Sequence, residues 1–212
     1  KMRLVRNHGE AVVEAMGCEE ISNTLGWNYW MTETEAAIGT VQIKKLERLN
    51  EHRAALAEVL TEGLSGFPGL ILPPTLEGCT HTYFHYVLRY DTESFGIPRE
   101  LFVKALQAEG IPFGVGYVKP LYLAPMYQRL ICSGRDGWPF TSIPDSERPS
   151  YAKGLCPVAE RLHEKELIYT SLCYFPVTHR DIRDVVLAFE KIWEHRAALQ
   201  DREVCTARPV ST

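Results

Sequence analysis

No stretch of this chain approaches the roughly 18 consecutive apolar residues that a membrane-spanning helix needs. No block of lysine or arginine is present either. The 23 basic side chains are dispersed among 27 acidic ones, for a formal net charge of −4. That balance argues against nucleic acid and anionic membrane surfaces as partners. The opening residues, Lys1-Met2-Arg3-Leu4-Val5-Arg6, contain no apolar leader, so a cytoplasmic protein is expected. Six cysteines occur (Cys18, Cys79, Cys132, Cys156, Cys173 and Cys205), none paired as C-x-x-C. A structural zinc site is therefore not expected, and free thiols in a reducing compartment are. There is no P-loop, no G-x-S-x-G elbow and no complete G-x-G-x-x-G; Gly114-Val115-Gly116 only begins one. Internal repeats and low-complexity segments are also missing.

What is present is an ordinary globular composition, 45% hydrophobic and 24% charged over 212 residues. That length suits one sizeable domain or two small ones. Residues 2–7 read as the end of a helix and 8–30 as a polar loop. Thr32 and Glu35 have capping-box spacing at the head of a long helix running to about Leu64. Ile38, Val41, Leu49, Leu56, Leu60 and Leu64 fall near one face, with an interruption expected near Asn50-Glu51. Strands are expected at Leu70–Leu72, Thr82–Tyr90, 111–117 and Leu167–Leu172. Helices are expected from Pro98 to Gly110, over part of Pro120–Arg129, at Val158–Lys165, and after Thr178 with Asp181 at its third position. Residues 133–154 are the loosest part, and the tail beyond Leu199 is polar. The pattern is a long helix followed by a small sheet covered by helices.

Three groups could carry chemistry. Gly26-Trp27-Asn28-Tyr29-Trp30-Met31-Thr32 sets an amide and aromatic rings against a helix start. Asn28 there can donate to an anion such as phosphate, or simply shape a turn. Gly114–Tyr122 combines glycines, Tyr117, Lys119 and Tyr122 near a strand end, which suits a polar ligand or aromatic core contacts. His81 and His85 are four apart, on one face if both lie on a strand. With no third ligand beside them, a structural or substrate-facing role fits better than a metal.

Taken together, Gly26–Ala37 resembles the G-x-N-(Y/F)-x-M-(T/S)-E-x-x-A-A signature of the DegT/DnrJ/StrS family of pyridoxal-phosphate (PLP) sugar aminotransferases. Other segments resemble family segments in the same order. Arg6-Asn7-His8-Gly9 is similar to R-x-H-G, Gln42–Leu46 to Q-L-x-x-L, and His81–Tyr90 to the family's H-x-(Y/F) strand. Arg53 resembles the arginine of the following helical segment. Gly110-Ile111-Pro112, Tyr117 through Leu121, Pro125-Met126-Tyr127, and Ser171-Leu172 through Thr178 complete the series.

The resemblance implies an α/β chain forming the C-terminal part of the PLP-transferase type I fold. Residues 1–31 would be a remnant of the large PLP-binding domain with an active-site loop, 32–65 a linking helix, 66–199 the small α/β domain and 200–212 a frayed tail. It implies a homodimer with a shared active site and a transfer from glutamate or glutamine to a keto-sugar or keto-cyclitol. Asn28 would bind the PLP phosphate of the partner subunit. Tyr29, Trp30, His81, His85, Tyr117 and Tyr122 would face the substrate. The lysine that forms the internal Schiff base and moves the proton lies upstream of R-x-H-G in the family, and Lys1 stands too close to His8 to be it. The aspartate that holds the pyridine nitrogen lies earlier still. The chain is therefore expected to be a piece of such an enzyme, inactive by itself. Two departures bear on substrate: Trp30 replaces the usual arginine or lysine, and Tyr122 a frequent histidine. Both favour a keto-cyclitol or simpler sugar phosphate over a nucleotide-linked sugar. A PLP-dependent sugar dehydratase of the same family, with histidine in place of the lysine, is an alternative, as is a non-catalytic binding or dimerisation module.

Overall fold

A computed structural model of the chain describes residues 2–9, 25–132 and 136–200. Lys1, Glu10, Cys18, Cys205, most of the expected 8–30 loop and nearly all of the polar tail lie outside the described residues. The chain divides into two compact units, Lys1–Arg48 and Leu49–Thr212. The division falls inside helix α2 (Glu33–Leu64).

In the first unit, helix α1 (Met2–Arg6) precedes the loop that leads into α2. The capping box forms as expected. The Thr32 backbone N–H donates to Glu35 Oε2 at 2.8 Å, and the Glu35 N–H donates to Thr32 Oγ1 at 3.3 Å. These hydrogen bonds from Thr32 hold the Glu35 carboxyl below the ordinary carboxylate range. All α2 side chains from Glu33 to Arg48 are exposed, including Ile38 and Val41. The buried residues of α2 are Leu56, Ala57, Leu60 and Leu64, which lie in the second unit and join its core. The expected interruption near Asn50-Glu51 does not occur: no glycine or proline falls there, and α2 is continuous.

The second unit is built on four short strands: β1 (Leu70–Ile71), β2 (Tyr86–Tyr90), β3 (Gly114–Val115) and β4 (Leu167–Thr170). They form one antiparallel sheet in the order β1-β2-β4-β3, with Tyr86 opposite Thr170 and Gly114 opposite Tyr169. Alternation places Tyr86, Leu88 and Tyr90 of β2 in the core with Ile168 of β4. Helices α4 (Arg99–Ala108) and α7 (His179–Glu194) contribute Phe102, Val103, Leu106, Ile182, Val185, Phe189 and Ile192. Phe67, Phe95, Phe102, Phe189 and Trp193 meet in edge and stacked contacts at centroid separations between 4.6 and 6.2 Å. Thr178 and Asp181 form a capping box at the start of α7. Cys79, Cys132 and Cys156 are exposed free thiols and Cys173 a buried one. Among the described residues, no helix is long and apolar enough to cross a membrane.

Several elements are shorter than the sequence pattern predicts. Thr82–Tyr90 does not pair along its length: Tyr83 has φ +47°, and its N–H turns back to His81 Nδ1 at 2.8 Å. Gly116 and Tyr117, with φ +67° and +53°, likewise end β3 early. The helix expected over Val158–Lys165 is α6 (Pro157–Arg161) followed by a π-turn, Leu162–Glu166. Helix α3 (Thr92–Phe95), capped by Asp91 and ended by Gly96, has no counterpart in the expected pattern. A short helix, α5 (Pro125–Gln128), falls within the expected Pro120–Arg129 segment.

Candidate active site

In the first unit, the Arg6-Asn7-His8-Gly9 and Gly26-Trp27-Asn28-Tyr29 segments form one structure. Trp27 N–H donates to Val5 O at 2.8 Å, Tyr29 N–H to Arg6 O at 2.9 Å and His8 N–H to Trp27 O at 3.2 Å. Asn7 and Asn28 form the antiparallel bridge between them. A Cβ on Gly26 would stand 2.1 Å from the Gly9 nitrogen, so only glycine allows this approach.

The side chains of this loop are partly committed. Asn28 Oδ1 accepts the Trp30 backbone N–H at 3.2 Å. Its exposed amide therefore has its NH₂ group left as a pair of donors, the polarity that a phosphate oxygen requires. Trp30 Nε1–H donates to Asn7 Oδ1 at 2.7 Å. The Arg6 guanidinium lies 4.1 Å from the Trp30 ring centroid. Trp30 thus holds a cation on its face. Tyr29 stacks on Trp27 at 6.0 Å and is exposed.

In the second unit, His85 and Tyr117 come together; His81 does not join them. His81 and His85 both precede β2, so the expectation that they share one strand face is corrected. The left-handed backbone at Tyr83 separates them. His81 stacks on Tyr83 at 4.1 Å. His85 Nδ1 lies 2.7 Å from Ser171 Oγ, and its ring is 4.9 Å from Tyr117 and 5.3 Å from Tyr169. Tyr117 meets Tyr169 edge-on at 5.3 Å. A cleft of about 350 Å³ adjoins this cluster, lined by Phe113, Gly114, Tyr169, Ser171, Leu172 and Tyr174 among others.

Tyr122 is tied elsewhere. Its hydroxyl donates to the Glu160 carboxylate and accepts the Cys156 N–H at 3.3 Å, while Glu160 also takes the Gly154 N–H at 2.6 Å. Removal from water, then the Glu160 carboxylate, push the Tyr122 hydroxyl up to about 12. The bond from Tyr122 holds the Glu160 carboxyl low.

The sequence pattern did not single out Tyr169 and Ser171 as neighbours of His85 and Tyr117, nor Asn7 as the partner of Trp30. The pairing of Gly114 with Tyr169 was the available signal. A Cβ on Gly114 would stand 2.8 Å from the Tyr169 ring, so the aromatic side chain lies directly over the glycine.

The profile of the DegT/DnrJ/EryC1/StrS aminotransferase family matches residues 1–142. An uncharacterized protein of Methanocaldococcus jannaschii, MJ1066, is 30% identical over 168 residues, which cover 79% of this chain and 38% of that protein. A Micromonospora echinospora protein, named as a candidate L-glutamine:3-amino-2,3-dideoxy-scyllo-inosose aminotransferase, is 28% identical over 180 residues, 82% of this chain and 42% of its own length. The solved structure of S. venezuelae DesV in complex with a ketimine intermediate matches with a TM-score of 0.65 at 23% identity, covering 91% of this chain and 43% of DesV. The chain therefore spans about two-fifths of the length of these relatives. Its fold is the corresponding part of the type I PLP-aminotransferase fold. The match extends over more than half of the chain and includes both segments joined at Asn7 and Asn28, so this chain belongs to the DegT/DnrJ/EryC1/StrS aminotransferase family.

Proposed function

We propose that this chain is part of a PLP-dependent aminotransferase that moves an amino group from glutamate or glutamine to a keto-sugar or keto-cyclitol. The observation that carries the reading is Asn28. Its carbonyl oxygen is committed to the Trp30 N–H and its NH₂ is outward, on a loop locked by Gly26 against Gly9. That donor suits the phosphate of PLP bound to a partner subunit in a homodimer. PLP, when bound, supplies the electron sink for moving the amino group. The lysine that anchors it is supplied by sequence other than these residues, and this chain alone is inactive.

Within the second unit, Tyr117, Tyr169 and His85 offer ring faces and edges to the C–H faces of a sugar or cyclitol. Their hydroxyls and His85 Nε2 are available to its hydroxyl groups. Tyr122, bound to Glu160, acts on this surroundings by fixing the loop that carries it. Trp30 in place of a fixed cation, together with the scyllo-inosose named for the Micromonospora relative, supports a cyclitol or simple sugar acceptor. The enzyme works in the cytoplasm.

PLP retention tests the reading. The full-length protein is expected to keep a visible absorbance band after desalting, and Asn28→Ala to lose PLP at least about tenfold faster, the loss of one charge-assisted hydrogen bond. This chain alone should show no such band. Retention unchanged in Asn28→Ala would overturn the anchoring role, and a band from this chain alone would overturn the missing-lysine reading.

A further inference from the structure

Between α6 and β4 the chain widens into the π-turn Leu162–Glu166. Such a turn leaves carbonyls without their regular helical donors. Arg99, the first residue of α4, supplies them. Its side chain is 5% exposed. Nη1 donates to His163 O at 3.1 Å and Leu167 O at 3.3 Å, and Nη2 donates to Glu164 O at 2.9 Å. Glu100 Oε1 accepts from Nε at 3.0 Å and from Nη2 at 2.6 Å, balancing the charge. A planar guanidinium can serve three carbonyls and a carboxylate together; an ammonium cannot reproduce that fork.

The same turn grips the backbone beside Tyr117. His163 Nδ1 donates to Gly116 O at 2.7 Å, which fixes the proton on Nδ1 because a carbonyl only accepts. Gly116 N–H donates to Leu167 O at 2.8 Å. Both polar atoms of Gly116 are therefore held by residues whose own carbonyls Arg99 holds. Gly116 has φ +67°, and a Cβ there would stand 2.5 Å from His163 O. Tyr117 follows in the left-handed region at φ +53°, a conformation that a non-glycine residue keeps only when its surroundings impose it. That backbone sends the Tyr117 ring to His85 and Tyr169.

We propose that Arg99 is a positioning residue for the acceptor side of the site. Through the π-turn and His163 it sets the left-handed turn at Gly116-Tyr117, and with it the placement of the Tyr117 ring against His85. This rests on the reading above that Tyr117 faces the acceptor.

The test reads ring placement directly. In the 212-residue chain carrying ¹³C-labelled histidine and tyrosine rings, the His85 and Tyr117 protons sense each other's ring currents and share cross-peaks. Arg99→Met and Arg99→Lys are expected to abolish the His85–Tyr117 cross-peaks. The core control Ile192→Val should keep them. His163→Leu cuts the link further down without touching the buried cation and should act like Arg99→Met. His163→Asn, whose amide can replace the Nδ1–H, should restore the cross-peaks. In the full-length enzyme the acceptor KM is expected to rise about tenfold in Arg99→Lys and His163→Leu, with kcat held within about twofold. Cross-peaks that persist in folded His163→Leu and Arg99→Lys would overturn the positioning role. Lost cross-peaks with an unchanged acceptor KM would uphold the link to Tyr117 but overturn Tyr117 as an acceptor contact.

Discussion

Gly26 and Gly9 touch backbone to backbone, so closely that a Cβ on Gly26 would stand 2.1 Å from the Gly9 nitrogen. This contact makes one loop of two segments that are separated in sequence. Gly26→Ala is expected to force them apart, at a cost of about 1–3 kcal/mol by analogy with other overpacked sites. Chymotryptic cleavage at Trp27, Tyr29 or Trp30 should then accelerate at least about fivefold, as expected for a local opening eased by about 1 kcal/mol. Cleavage at the native rate would show that the loop tolerates the methyl group.

The Tyr122–Glu160 hydrogen bond makes a pH prediction with two limbs. The Glu160 carboxyl is held low, so the stability it adds is complete above the ordinary carboxylate value and fades as pH falls through the lowered one. Tyr122 is pushed up to about 12, so its contribution is complete below the ordinary phenol value and fades as pH rises through 12. Glu160→Gln removes the charge. One tyrosine should then ionise at lower pH than in the native chain, read as a 295 nm difference of a single phenolate. Identical titration curves would rule the pair out.

Much of this was legible in the sequence for local reasons. The Thr32/Glu35 and Thr178/Asp181 boxes are four-residue patterns whose hydrogen bonds need no tertiary context. The order of strands and helices followed from alternation and glycine or proline punctuation. What failed depended on long-range geometry. The left-handed backbone at Tyr117, a non-glycine residue, follows a turn at Gly116 held by His163, 46 positions away from Tyr117. Ser171 stands beside His85 only because β4 pairs with β2. Arg99 is buried against a π-turn that periodicity cannot reveal.

Ser171→Ala removes the hydroxyl 2.7 Å from His85 Nδ1. Ser171 is exposed and His85 only half-buried, so stability should change by no more than about 1 kcal/mol. His85 loses its orientation, and the acceptor KM of the full-length enzyme is expected to rise several-fold without a matching fall in kcat. Steady-state kinetics on the variant check this, and unaltered KM would place His85 away from the acceptor.

Thr178→Ala removes the cap of α7, whose apolar side supplies Ile182, Val185, Phe189 and Ile192 to the core. The expected loss is about 1 kcal/mol. For a chain of this size that lowers Tm by about 2–4 °C. Calorimetry decides it; an unchanged midpoint would mean the cap is redundant.

Helix α2 also carries a consequence along its own axis. Its residues from Glu33 to Arg48 are all exposed, while Leu56, Ala57, Leu60 and Leu64 are buried. A half-helix that rests on its cap and on intrinsic propensity is marginal in water. In this chain one unbroken helix should therefore show two amide-exchange lifetimes. Protons near Leu60 should wait for global unfolding, and those near Val41 should exchange through fraying that leaves the core intact.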